Sequence, residues 1–185
     1  MAGNYDVAAV VGSLRRESFT RRLVQALSSI APASIRIEIV EIGALPLYNQ
    51  DDEASPPVQW VTFRERIKRA DAVLFATPEY NRSVPGVLKN AIDVGSRPFG
   101  KSVWAHKPAA VLSASPGALG AFGANHHLRQ SLVFLDMPAL QQPEAYIGGV
   151  DKLLDAAGGF VNPQTRQFCE QFLKAFEAWI ARRAA

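Results

Sequence analysis

The stretch Gly12-Ser13-Leu14-Arg15-Arg16-Glu17-Ser18-Phe19-Thr20 joins a short apolar run to a helix-period segment, and its residue types suit an anion. Gly12 lets a ligand approach the backbone closely, Ser13 and Ser18 bring hydroxyls, and Arg15 brings a fork of N–H donors. The helix start adds free amides, so the whole fits a phosphate monoester. Four arginines, Arg15, Arg16, Arg21 and Arg22, with the single glutamate Glu17, gather where the helix macrodipole favours negative charge. Each misplaced charge there costs about 0.3–1 kcal/mol, and a bound anion removes the conflict. The same residues also read as a solvated basic face with an ordinary cap, and the loop alone leaves both open. Neither GxGxxG nor a GxxxxGK loop is present, so dinucleotide and Walker-type sites lose their main support.

A second group is Pro78-Glu79-Tyr80-Asn81, followed by Arg82-Ser83-Val84-Pro85-Gly86. Prolines stiffen this loop while Tyr80 offers a flat face, so a planar ring could be gripped there, although the segment is equally a turn before a Pro-Gly helix start. Ser113-Ala114-Ser115-Pro116-Gly117-Ala118-Leu119-Gly120 is a third group, made of small residues that permit backbone contact. No Ser-His-Asp set and no HExxH pattern emerges. The adjacent His126 and His127 fall on different faces of a helix and make no chelating pair, His106 reads as a loop residue, and Asp71 and Asp136 make no acidic cluster.

These loops need elements to hold them. Tyr5 to Val11 reads as a buried strand, and Phe19, Leu23, Ala26, Leu27 and Ile30 share one face of a helix ended by Pro32. Ile35 to Val40 alternates as an edge strand, and a long loop runs from Gly43 to Pro56. Trp60, Phe63, Ile67 and Ala70 mark a second helix, Asp71 to Ala76 a third strand, Gly86 to Val94 a third helix, and Pro108 to Ser113 a fourth strand. A fourth helix reaches about Leu135, a fifth strand lies between Ala139 and Ile147, and Asn162-Pro163 starts a last helix with Phe168, Phe172, Ala175, Phe176, Trp179 and Ile180 inward. Alternating strands and helices predict an α/β fold, with ligand at the carboxyl ends of the strands.

The chain has 185 residues, 48% apolar and 20% charged, which suits one compact domain spanning 1–185 and excludes rods and disordered chains. The net charge of +3 is mild and its basic residues are dispersed, so no nucleic acid is expected as partner. No run of 18 apolar residues occurs, so no membrane span is expected. The first residues read as a strand and not as a secretory signal, and one cysteine, Cys169, reads as a buried thiol, so the expected location is cytoplasmic.

GSLRRESF at 12–19, PEYN at 78–81, PGVLKNAIDVGSRP at 85–98 and SASPGALG at 113–120, in this order, resemble the NADPH-dependent FMN reductase family of flavodoxin-like proteins, which includes quinone and chromate reductases. The similarity runs from about Val7 to Gly149. The resemblance implies a five-stranded parallel sheet of order 2-1-3-4-5 with helices on both faces. It places Ser13, Arg15, Ser18, Phe19 and Thr20 around the FMN phosphate, Pro78, Glu79, Tyr80 and Asn81 along the ring, and Ser113, Ser115 and Gly117 nearby. Thr20 stands where asparagine is frequent in that family, and Gly120-Ala121 replaces a frequent Gly-Gly pair. The activity implied is FMN-dependent oxidation of NAD(P)H, the co-substrate, with electrons passed to quinone-like or other small acceptors in a ping-pong sequence. The hard chemistry belongs to the flavin, so no catalytic side chain is expected. A homodimer or homotetramer is implied, with Tyr80, Asn81 or Arg82 near the partner and an apolar patch around the helix from Pro85 to Val94. Two other readings share the sequence: a flavodoxin-type electron-transfer module, which this basic chain fits poorly, and an interaction protein with a degenerate pocket.

Overall fold

The computed structural model describes residues 4–184. Five strands, β1 (Tyr5–Val11), β2 (Ile35–Val40), β3 (Ala72–Thr77), β4 (Ala109–Ala114) and β5 (Ala145–Ile147), form one parallel sheet in the order β2-β1-β3-β4-β5. The helices are α1 (Phe19–Ser29), α2 (Val58–Arg69), α3 (Gly86–Ser96), α4 (Phe122–Phe134) and α5 (Pro163–Ala184). This is the flavodoxin-like order expected, with β2 at an edge.

Alternate residues of the central strands face opposite sides, as a pleated strand requires. Val7, Ala9, Val11, Leu74 and Leu112 pack against Leu23 and Leu27 of α1 and Phe172, Phe176 and Ile180 of α5. Ala8, Val10, Val73, Phe75 and Val111 pack against Trp60 and Phe63 of α2, Leu88 of α3 and Leu128 of α4. β3 and β4 are buried at every position, which is why their sequences are apolar and non-alternating apart from Thr77 and Ser113 near their carboxyl ends.

Boundaries differ from the sequence reading by a residue or two. β3 and β4 each start and end one residue later than expected, and α1 closes at Ser29, with the Ile30 N–H donating to Leu27 O, two residues before Pro32 can act. The loop from Gly43 contains a 3-10 turn, Gln50–Ala54, started by the Asn49 side chain. That loop is pinned by Asn90 of α3, whose Oδ1 accepts from Tyr48 N (2.8 Å) and whose Nδ2 donates to Pro46 O (3.0 Å). α3 carries no outward apolar patch: Leu88, Ala91, Ile92 and Val94 all face the core. Exposed apolar side chains lie elsewhere on the surface, among them Phe122, Val133 and Phe134 on α4 and Val58 and Val61 on α2.

Candidate functional site

Because every strand is parallel, β1, β3 and β4 deliver their following loops to one edge of the sheet. At the first, Gly12 N donates to Ala76 O (2.8 Å). A Cβ at Gly12 would stand 3.1 Å from Leu88 Cδ2 and 3.2 Å from Pro78 Cδ, tight enough that those side chains would have to give by a few tenths of an ångström, so glycine eases the close approach to the loop after β3. Beyond it Ser13, Ser18 and Thr20 are 5%, 1% and 2% exposed: one buried hydroxyl just after Gly12 and two at the start of α1. Ser18 is the cap of α1: its Oγ accepts from Arg21 N (3.2 Å) and is hydrogen-bonded to Thr20 Oγ1 (3.0 Å). Ser13 Oγ accepts only a long bond from Arg15 N, 3.4 Å, which leaves its own proton to give. The amides of Phe19 and Thr20, in the first turn of α1, have no i−4 carbonyl to meet.

The four arginines do not act together. The guanidinium of Arg21 forks onto Glu41 at 2.8 and 2.6 Å, and this hydrogen bonding raises the arginine pKa and holds the Glu41 carboxyl below its usual range. Arg22 donates to Asp155 O (2.7 Å). Arg15 and Arg16 stay exposed beside the loop, with Arg15 lying 5.4 Å over the Phe19 ring. The basic cluster is therefore half as large as the sequence suggests, because residues 21 and 22 are carried round the helix towards β2 and the 155 loop.

After β3 the chain makes a tight turn in which Tyr80 and Ser83 exchange both backbone hydrogen bonds (3.1 and 3.0 Å). Its two central residues, Asn81 and Arg82, have φ of 51° and 64°. Asparagine tolerates that conformation and arginine does not favour it. Tyr80 stands half exposed at the tip. Glu79 points the other way, to the start of α4. There Ala121 is left-handed and offers no side-chain cap, and Glu79 Oε2 takes the Ala124 N–H instead (3.0 Å). A carboxylate at a helix start is favoured by both the orphan amides and the macrodipole. Gly123 makes the approach possible, since a Cβ there would lie 2.8 Å from Arg82 O. Ser83 Oγ and His127 Nδ1, 2.9 Å apart, add a second tie between turn and helix.

Near the carboxyl end of β4, Ser113 is wholly buried and donates to Gly120 O (2.7 Å), while beyond the strand Ser115 Oγ donates to Gly117 O (3.1 Å). Gly117 lies exposed, with the Ser115 hydroxyl 3.7 Å from where its Cβ would be. His126 faces a different way from His127, as expected of neighbours on a helix. Its Nε2 donates to the Tyr146 hydroxyl (3.1 Å), whose own proton goes to Glu144 (2.7 Å). Burial, reinforced by Glu144, pushes the Tyr146 phenol up to about 12.

The structure thus brings all twelve expected residues to one edge but divides them. Ser13, Arg15, Ser18, Phe19 and Thr20 line the first loop. Pro78, Tyr80, Asn81, Ser115 and Gly117 sit on the facing loops. The side chains of Glu79 and Ser113 are engaged inside the protein. His127, Asn125 and Gly123 were not expected at the site; a glycine in the first turn of a helix was the one sequence sign of a close approach.

The family model of the NADPH-dependent FMN reductases matches residues 5–152. The chain belongs to that family. It is 61% identical over 181 residues to a quinone reductase of Pseudomonas putida, covering 97% of both chains, and 46% identical to a 2-hydroxy-1,4-benzoquinone reductase of a Burkholderia species, covering 96% and 97%. Among solved structures, the flavoenzyme NAD(P)H:(acceptor) oxidoreductase FerB of Paracoccus denitrificans superposes with a TM-score of 0.92 at 40% identity, covering 97% of this chain and 98% of that one. FMN carries one phosphate monoester and one planar ring, and the donors present match both. Buried hydroxyls and first-turn amides suit the phosphate, and an exposed tyrosine on a stiff turn suits the ring.

Proposed function

We propose that this member of the FMN reductase family binds FMN at the edge formed by the loops after β1, β3 and β4, and uses it to reduce quinones, with chromate as a further acceptor, at the expense of NAD(P)H. The observation that carries this reading is the set of buried hydroxyls between β1 and α1, Ser13 in the loop and Ser18 and Thr20 at the helix start, with Gly12 packed against the Pro78 loop. FMN held at this edge would supply the redox chemistry, a site for hydride acceptance and onward electron transfer. The chain's residues bind and orient. The Ser13 hydroxyl and the Phe19 and Thr20 amides would hold the phosphate, with Arg15, stacked over Phe19, balancing its charge. Pro78, Tyr80 and Asn81, with Ser115 and Gly117, would hold the ring. Glu79 keeps the Tyr80 turn at its height by capping α4.

The reading includes a single domain over 1–185, a cytoplasmic location, and self-association as a homodimer or homotetramer with Tyr80, Asn81 or Arg82 near the partner. Exposed Phe122, Val133 and Phe134 on α4 support an apolar contact between copies. One open edge serves both NAD(P)H and acceptor, so the first must leave before the second enters. The test is steady-state kinetics of the flavin-loaded protein with NADPH and a benzoquinone: parallel double-reciprocal lines are expected, and intersecting lines with a trapped ternary complex refute the shared edge. Absence of flavin absorbance after reconstitution refutes the whole reading.

A further inference from the structure

Ser113 sits in the middle of a chain of hydrogen bonds whose direction is forced by chemistry. At its outer end Arg129, half-buried on α4, points Nε at the Asn125 side chain (2.9 Å) and Nη1 at Leu140 O (3.0 Å). Guanidinium can only donate, so the amide atom that meets it is the Asn125 oxygen, and the amide nitrogen is left to point inward. That nitrogen donates to Ser113 Oγ (3.1 Å). Having accepted there, Ser113 places its one proton on Gly120 O at 2.7 Å, closer than Ala145 O at 3.4 Å. Ser113 and Asn125 are both fully buried, so neither exchanges these partners for water. The chain ends on a residue already wedged: Gly120 has φ of 58°, and a Cβ on it would lie 2.5 Å from Tyr146 C. Gly120 closes the turn that carries Ser115 and Gly117, since its N–H donates to Gly117 O (3.3 Å).

We infer that Asn125 and Arg129 are positioning residues, which set the 115–120 turn against the ring-binding edge by fixing which way the Ser113 hydroxyl points. The inference rests on the FMN reading and assigns a role to two side chains that touch no ligand. Asn125→Asp is the sharpest probe. An aspartate keeps the size and the Arg129 contact but can only accept, so Ser113 must turn its proton towards it and Gly120 O loses its donor. Ser113→Ala removes the same final donor outright, whereas Ser113→Thr retains it.

FMN affinity is read by flavin fluorescence, alongside the urea midpoint of each apoprotein. Asn125→Asp and Ser113→Ala are expected to weaken FMN about tenfold, the worth of one buried hydrogen bond, with Ser113→Thr restoring affinity to within about threefold of the parent. Cys169→Ala, on the core-facing side of α5, should lower the urea midpoint without touching the turn, so its FMN affinity should stay unchanged. Equal affinity in parent and Asn125→Asp overturns the inference, and so does an equal loss in Cys169→Ala, which would make the effect one of general stability. Should Asn125→Asp fail to fold, Arg129→Gln at the half-exposed end carries the test, and unchanged affinity there also overturns it. A parent protein that binds no FMN refutes the underlying reading instead.

Discussion

Replacing Gly120 by alanine separates two physical costs that the structure places on one residue. The first is conformational: at a φ of 58° an alanine is about 1 kcal/mol worse than glycine. The second is contact. The added Cβ would stand 2.5 Å from Tyr146 C, 2.7 Å from Ile147 N and 2.8 Å from Tyr146 O, all backbone atoms of a three-residue strand that cannot rotate aside. Overpacking of this kind costs about 1–3 kcal/mol. The sum is about 2–4 kcal/mol, which for a chain of this size lowers the melting temperature by about 5–15 °C. Gly149 supplies the control, with a φ of 59° and nothing within 4 Å of its would-be Cβ. Gly149→Ala should therefore show the conformational cost alone, about 1 kcal/mol. Scanning calorimetry of the two apoproteins measures the difference directly. Equal losses in the two variants would falsify the contact argument, and a Gly120→Ala protein that melts like the parent would remove both costs.

Arg15→Ala should weaken FMN by about 1.5–3 kcal/mol, the range for a hydrogen bond to a charged group, and an unchanged titration curve removes Arg15 from the phosphate site. Arg82→Gly relieves the φ of 64° and should raise stability by up to about 1 kcal/mol despite the added freedom of the unfolded chain; a lower melting temperature would show that the arginine side chain contributes more than its backbone costs. Burial pushes the Cys169 thiol up to about 12, so in the folded protein it should stay unreactive towards an aromatic disulfide reagent at pH 8 and react only on unfolding. Rapid labelling of the native protein would contradict that burial.

Much of the scaffold is legible in the chain because strand and helix periods are local properties. The apolar runs at 5–11, 71–76 and 108–113 announce buried parallel strands, which the structure shifts by one residue in the second and third, and the loops between them follow. What the sequence does not announce is which way a polar side chain in a loop turns. Glu79 is adjacent to Tyr80, yet its partner is the amide of residue 124, 45 positions away. Arg21 looks like part of a phosphate cluster until Glu41 is folded beside it, and the hydrogen bond from Asn125 to the Ser113 hydroxyl is equally invisible in the sequence. Each decision is made by a group from a distant segment. The same is true of His127, whose tie to Ser83 spans 44 positions and could not be inferred from two neighbouring histidines.

The borrowed cap on α4 also limits how the protein can be re-engineered. A helix that begins without a capping side chain of its own, and takes its carboxylate from the loop that carries Tyr80, cannot be exchanged separately from that loop. Grafting a relative's 78–86 segment into this chain would import a new turn but would strand the amide of Ala124 unless the donor also kept an acid at position 79 and a glycine at 123. Libraries that randomise the loop to broaden acceptor range should therefore hold those two positions fixed or vary them as a pair. Clones that ignore the pairing would be lost as misfolded protein before any change in acceptor preference could be scored.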